Sequence, residues 1–264
     1  MNRVIQIFDK NRLEIYFKND PFLNIYQLGD LDDLFWQYSQ WYGSEENEKL
    51  KAVILLYKKP KFPVLIALGS SNKLELQELL KAVMPELPGS VYCHLSDGLK
   101  EIVIQDYDFQ SKGKFLKMKL AGETLIASFR GEYGLVRVLT EGDLHAIEEL
   151  VIKNSPSAWL DKELVQSGFY HGIYKGEKLV SMAGVHVFSK RYNVAALGNV
   201  MTSQEERNKG NAAIVTASLC DQLLNSVKYI GLNVQADNHY AIRCYGRVGF
   251  EEHTYYEEGL AVRR

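Results

Sequence analysis

The sequence predicts an α/β chain, in the α+β sense, with a mixed and mostly antiparallel sheet flanked by helices and two successive parts. Three observations predict it. Apolar runs such as Lys51–Tyr57 and Val64–Leu68 have strand length and are separated by a turn containing Pro60 and Pro63. Segments with helical spacing stand between such runs, as in Leu74, Leu76, Leu79, Leu80 and Val83. The pattern then restarts after the glycine-bearing, partly polar stretch Gly122–Gly134. This places a smaller domain at residues 1–126 and a second at 127–264.

In the first part, residues 1–20 are weakly patterned. Phe35, Trp36, Tyr38, Trp41 and Tyr42 crowd an aromatic segment, which reads as an element burying its rings rather than as a ligand-stacking surface. The strand pair follows. Asn72 then stands as N-cap of a helix over Lys73–Met84, which Pro85 ends. Val91–His94 reads as a strand, Leu99–Val103 as a short helix and Lys114–Leu120 as an alternating strand. This part carries no phosphate loop, metal cluster or nucleophile–base set. His94, Ser96 and Asp97 are sequence neighbours, which the members of a catalytic triad rarely are.

The second part starts with a strand at Leu135–Leu139. Thr140–Asp143 caps a helix that runs to about Lys153, with Leu144, Ile147, Leu150 and Val151 on one face. Ser157–Ser167 is a second short helix. Phe169–Tyr174 and Leu179–Phe188 flank a glycine-containing turn, and the strand Asn193–Thr202 completes a three-strand meander. The basic loop Arg207-Asn208-Lys209-Gly210 then opens a helix over Asn211–Ser226. A strand feeding a basic, glycine-containing loop at a helix start suits a phosphate, because the first backbone N–H groups lack intrahelical partners and the dipole is positive there. Tyr229–Val234 is a strand. Asp237-Asn238 caps Tyr240–Val248, Gly249 closes that helix, and Phe250–Tyr256 and Gly259–Val262 are the last strands.

Composition excludes several classes. With 46% apolar and 24% charged residues the chain is of ordinary globular type, and its net charge of -2 offers no general attraction to nucleic acid or an anionic membrane. No apolar run approaches the ~20 residues that span a bilayer. The first residues lack a signal-peptide core, so the expected compartment is the cytoplasm. Cys93, Cys220 and Cys244 have no paired spacing, which argues against a disulfide framework and a zinc site; no metal is expected.

Two motifs carry a family resemblance. Arg207-Asn208-Lys209-Gly210-Asn211-Ala212 fits a Q/R-x-x-G-x-G/A signature, and Asn233 to Phe250 is similar to an N-x-x-A-x-x-x-Y-x-x-x-G-F stretch. Together, and in this element order, they resemble the GCN5-related N-acetyltransferase (GNAT) superfamily over roughly residues 130–264. The first half is similar to the leading domain of FR47-like and glycine N-acyltransferase-like two-domain members, a divergent copy of the same fold, here without a cofactor loop of its own.

The resemblance implies acetyl-CoA as co-substrate and an amine acceptor in a small molecule, amino acid or peptide. It implies that Arg207, Asn208, Lys209, Gly210, Asn211 and Ala212 hold the pyrophosphate and that Val200, Met201 and Thr202, with Asn233 on the next strand, flank the pantetheine arm. A backbone N–H near Val200 serves the oxyanion. Asn238, Ala241 and Tyr245 share one helix face toward the cofactor, and Tyr245 protonates the departing thiolate. For the general base, Glu205, Glu206, His171, His186 and a water chain stay open; for the acceptor pocket, Tyr170, Tyr255 and Tyr256. A homodimer is compatible with the sequence. The alternative function is a catalytically silent CoA-binding regulatory or scaffold protein.

Overall fold

The computed structural model describes residues 3–69, 72–122, 124–155 and 159–264. Among these, twelve strands run in chain order: β1 Arg3–Gln6, β2 Ser39–Glu46, β3 Lys49–Tyr57, β4 Val64–Ala67, β5 Ser90–Leu95, β6 Tyr107–Leu120, β7 Val136–Val138, β8 His171–Lys175, β9 Lys178–Ser189, β10 Val194–Thr202, β11 Tyr229–Gln235 and β12 Phe250–Arg263. The chain divides into two compact units, one of residues 1–117, 235–237 and 253–264, the other of residues 118–234 and 238–252. Most of β12 thus returns to the first unit.

In the first unit the strand order is β1-β2-β3-β4-β5-β12-β6. Strands β2, β3 and β4 pair antiparallel in sequence, and β4 pairs parallel with β5 through the helix Lys73–Val83. That helix buries Leu76, Leu79, Leu80 and Val83 against Ile54, Leu56, Leu65 and Val91. A full burial of this kind contributes about 1.5–3 kcal/mol per side chain. Asn72 stands at the N-cap, its carbonyl accepting from the Leu76 N–H, but its side chain makes no cap bond; its amide donates instead to the carbonyl of Lys51 at 2.7 Å. The weakly patterned N-terminus is β1 followed by the helix Lys10–Phe17, whose start is capped by Asp9 accepting from the N–H of Asn11 and Arg12. Of the crowded aromatics, Phe35 and Trp41 are fully buried, and Trp41 stacks on Trp36.

The second unit repeats the plan in the order β11-β10-β9-β8-β7. Strands β8, β9 and β10 form the antiparallel meander, and β10 pairs parallel with β11 through the helix Asn211–Leu224. Thr140 and Asp143 cap reciprocally ahead of the helix Leu144–Asn154, which buries Ile147, Leu150 and Val151. Of the helix expected at 157–167, Lys162–Val165 is helical, and residues 156–158 lie outside the described ones. The two last strands expected from sequence are the single strand β12, unbroken through Glu257 and Glu258. Among the described residues no helix is long and apolar enough to cross a membrane, and no group of three His, Cys, Asp or Glu is placed to hold a metal ion.

Candidate active site

The residues singled out from sequence gather where β10 and β11 stop pairing. Their parallel ladder runs from Val194↔Tyr229 to Leu197↔Leu232 and ends there, although β10 continues to Thr202 and β11 to Gln235. Val200, Met201 and Thr202 on one strand and Asn233 on the other lie beyond the last pair. All four are half-buried.

A bulge shapes this stretch. On the β9 side Gly198 pairs with Gly184 and Met201 with Met182, so Asn199 and Val200 together face one residue. Asn199 takes a left-handed φ of 52°. Its amide fixes that turn by donating to the Tyr170 hydroxyl at 3.0 Å and to the Trp159 carbonyl at 3.3 Å. Tyr170 is fully buried, and its hydroxyl donates to the Val185 carbonyl. It fits only because Gly184 is opposite: a Cβ there would stand 2.3 Å from the ring.

Past the bulge, Gln204–Glu206 makes one short turn, and the chain then unwinds. Arg207 is extended, while Asn208 and Gly210 both take left-handed φ, 63° and 84°. Left-handed turns in this spacing point successive N–H groups to one side, the geometry of an anion nest. Gly210 is the N-cap of the helix Asn211–Leu224, and no side chain caps that end. Among the described residues no hydrogen bond uses the backbone N–H of Asn208, Lys209, Gly210, Asn211, Ala212 or Ala213. Six consecutive donors are therefore left without protein acceptors among the described residues.

Side chains hold the loop from below. Glu206 pairs with Lys209 at 3.0 Å and also with Lys175, and its carboxyl sits below the usual range because of those two lysines. Arg207 donates to Asn154 Oδ1 at 3.1 Å and toward the Thr202 carbonyl. The Asn211 amide donates to the Glu206 carbonyl. A cavity of about 320 Å³ adjoins the loop, lined by Lys153, Lys178 and Arg207 together with Glu149, Glu177 and Glu205.

Residues 139–250 match the model of the acetyltransferase (GNAT) family. The chain carries a GNAT acetyltransferase domain. A Drosophila protein of solved structure is similar at TM-score 0.72, with 99% of each chain covered and 13% identity. A GCN5-related N-acetyltransferase from Sphaerobacter thermophilus is similar at TM-score 0.59, with 100% of this chain and 97% of its own covered and 12% identity. A tandem GNAT protein of the clavulanic acid biosynthesis pathway is similar at TM-score 0.54, with 99% and 98% covered and 10% identity. At these identities the likeness is one of fold. No curated protein matches the chain.

The remaining residues of the GNAT domain sort as follows. The helix His239–Val248 is capped by Asn238, whose Oδ1 accepts from the Ala241 N–H at 3.1 Å, and it ends on Gly249 at a left-handed φ of 111°. Ala241 is half-buried on that face and Tyr245 is buried, with its ring edge-on to Phe250. Burial raises the Tyr245 phenol well above its ordinary range, so it stays protonated at neutral pH. Among the base candidates, His171 is committed: its Nδ1 meets Ser218 Oγ at 2.9 Å and its Nε2 meets Gln222 Oε1 at 2.6 Å. His186 is half-buried, with its ring against Trp159 and under Gly198, where a Cβ would stand 2.2 Å away. Glu205 is exposed and near Lys178. Tyr170, a candidate for the acceptor pocket, is instead a core support of the bulge. Tyr255 is exposed, and Tyr256 is buried in the first unit. Sequence reasoning gave no role to the Asn199 side chain or to Trp159; the asparagine inside an apolar strand was the available signal.

Proposed function

We propose that the chain is an acyl-CoA-dependent N-acyltransferase, using acetyl-CoA and an amine of a small molecule, amino acid or peptide. The observation that carries the reading is the run of six amides without protein acceptors at Asn208–Ala213, placed at the end of a strand that has parted from its parallel neighbour. Such a run suits a pyrophosphate, and the parted strands leave β10 with unpaired backbone for an extended arm.

In this reading the amine nitrogen attacks the thioester carbonyl carbon. The Val200 N–H, turned by the bulge, supports the oxygen as it gains charge. The C–S bond then breaks as the thiolate takes the Tyr245 proton, and water returns a proton to the phenolate. Burial keeps the phenol protonated beforehand; because the thiolate's own acid is near 8.5, the transfer itself is uphill, and the proton regained from water completes it. The proton lost by the amine leaves through water or through Glu205, the candidate carboxylate with the most open surroundings.

A thiol-release assay with acetyl-CoA and an amine panel tests the proposal. Turnover on at least one amine is expected. Tight CoA binding without turnover on any amine would instead support the regulatory CoA-binding reading.

A further inference from the structure

The first unit holds buried polar groups that acyl transfer does not use. They lie on the short helix Ile25–Gly29 and its flanks. Asn24, Gln27 and Asp30 recur every third residue, so they share one face, and they are 5%, 2% and 4% exposed. Asn24 is satisfied: its amide donates to the carbonyls of Phe17 and Asp20, and its Oδ1 accepts from Gln27 Nε2 at 3.3 Å. That bond uses the Gln27 nitrogen and leaves Gln27 Oε1 buried with no hydrogen-bond partner. Next to it, among the described residues, no hydrogen bond or ion pair reaches the Asp30 carboxylate. Burial alone pushes the Asp30 carboxyl upward, with no protein cation opposing it.

Lys117, a buried cation of this unit, has rings and carboxylates of its own. Lys117 Nζ lies 5.1 Å over the Tyr26 ring and 5.3 Å over the Tyr256 ring, with Glu258 and Asp20 as the carboxylates acting on it. Glu258 in turn accepts from the hydroxyls of Tyr92 and Tyr256. Two acceptors one helical turn apart are therefore without protein donors. Gln27 Oε1 has given up water on folding and received no hydrogen bond in exchange, and among the described residues the Asp30 carboxylate is met by no protein N–H or O–H. Both are oxygen acceptors and one of them is ionisable; the half-buried Tyr26 ring, one turn before Asp30, already carries Lys117. This set matches a group that is positively charged and rich in N–H donors.

We infer that the first unit binds a small organic cation through a primary ammonium group, held by Gln27 Oε1 and the Asp30 carboxylate. The inference rests on the first unit alone and is independent of acyl transfer by the second. The test is calorimetric titration of the full chain, without acyl-CoA, using propylammonium, 1,4-diaminobutane, tetramethylammonium and potassium chlorides. One primary ammonium per chain is expected. Tetramethylammonium, which has no N–H, should bind about tenfold more weakly or worse, and Asp30→Asn and Gln27→Leu should each weaken propylammonium by about tenfold, the share of one charge-assisted hydrogen bond. No saturation by either primary ammonium, or equal binding of tetramethylammonium or potassium, overturns the inference. Thermal denaturation without ligand gives a second readout. A carboxyl without a partner predicts that Asp30→Asn is at least as stable as the parent; a clear loss of stability reveals an internal partner for Asp30 and also overturns it.

Discussion

Gly210→Ala separates the amide run from ordinary loop chemistry. Gly210 sits at φ +84°, and a Cβ added there would meet nothing within 4 Å. Crowding by neighbours therefore contributes nothing, and the whole penalty is the left-handed backbone, about 1–2 kcal/mol for an L residue. That penalty can appear in two places. A loop locked by protein contacts would keep its shape, and stability would fall. Here side chains of Glu206, Arg207 and Asn211 tie the loop down, but its six amides close on no protein acceptor, so the backbone around Gly210 can relax and lose the nest instead. Acetyl-CoA binding should then weaken by about 5–30-fold, the same 1–2 kcal/mol read as affinity, with kcat nearly unchanged. Gly113→Ala is the control: φ is +98°, nothing lies within 4 Å, and it belongs to the first unit. The assay is the acetyl-CoA Kd by calorimetry beside KM in thiol release. An unchanged Kd in Gly210→Ala, or an equal rise in Gly113→Ala, refutes the reasoning.

Tyr245→Phe should lower kcat by about a hundredfold with KM for acetyl-CoA unchanged, the range of a lost general acid; a kcat near the parent value would remove Tyr245 from the chemistry. Tyr170→Phe removes the hydroxyl that accepts from Asn199 at 3.0 Å, a net loss of about 1–2 kcal/mol in stability. Because that bond holds the bulge, kcat should also fall by about tenfold, the expected share of a misplaced oxyanion donor, and Tyr170→Phe with full kcat would mean the bulge holds itself. Burial depresses His171 below its ordinary value of 6.5. The unfolded imidazole then takes its proton first as pH falls, so the stability His171 contributes is complete above about pH 6.5 and is lost as pH drops below it toward the folded pKa. Urea unfolding on both sides of that pH should show a flatter profile in His171→Gln; an unaltered slope would assign the acid sensitivity to other groups, such as His94, which burial depresses in the same direction.

Elements whose signals are local were legible. The helix His239–Val248 carries its N-cap asparagine, its C-cap glycine and its apolar face within a dozen residues. The basic loop was legible for the same reason. Its decisive property was not: residue types announce a Gly-bearing turn, but whether its amides find protein acceptors depends on the folded surroundings. The bulge was hidden because Asn199 is held by Tyr170, 29 residues earlier. The break expected between Tyr256 and Gly259 was wrong because two glutamates read as a loop. Glu258 is in fact 7% exposed and accepts from Tyr92, 166 residues away in sequence. At the N-terminus, Leu13 and Phe17 alone mark the buried face of the helix Lys10–Phe17, too few positions for periodicity to register.

The two units share a strand plan, and the difference between them bears on cofactor number. Each has an antiparallel three-strand meander, a crossover helix and a parallel pair. In the second unit β10 outruns its parallel pairing by the five residues 198–202, about 16 Å of strand at ~3.3 Å per residue. In the first, β4 is four residues long, and all four pair with β5. An extended ligand arm needs backbone groups that no neighbouring strand has taken. β10 leaves such groups on its β11 side, whereas β4 leaves none on its β5 side. The first unit also has no counterpart of Arg207–Ala212 in sequence. One molecule of CoA per chain is therefore expected by calorimetry, with the heat abolished by a loop variant of the second unit such as Gly210→Pro, which cannot adopt a positive φ. A stoichiometry of two, or one site that survives that variant at full affinity, would show that parted strands and an open amide run are not what recognises the cofactor in this chain.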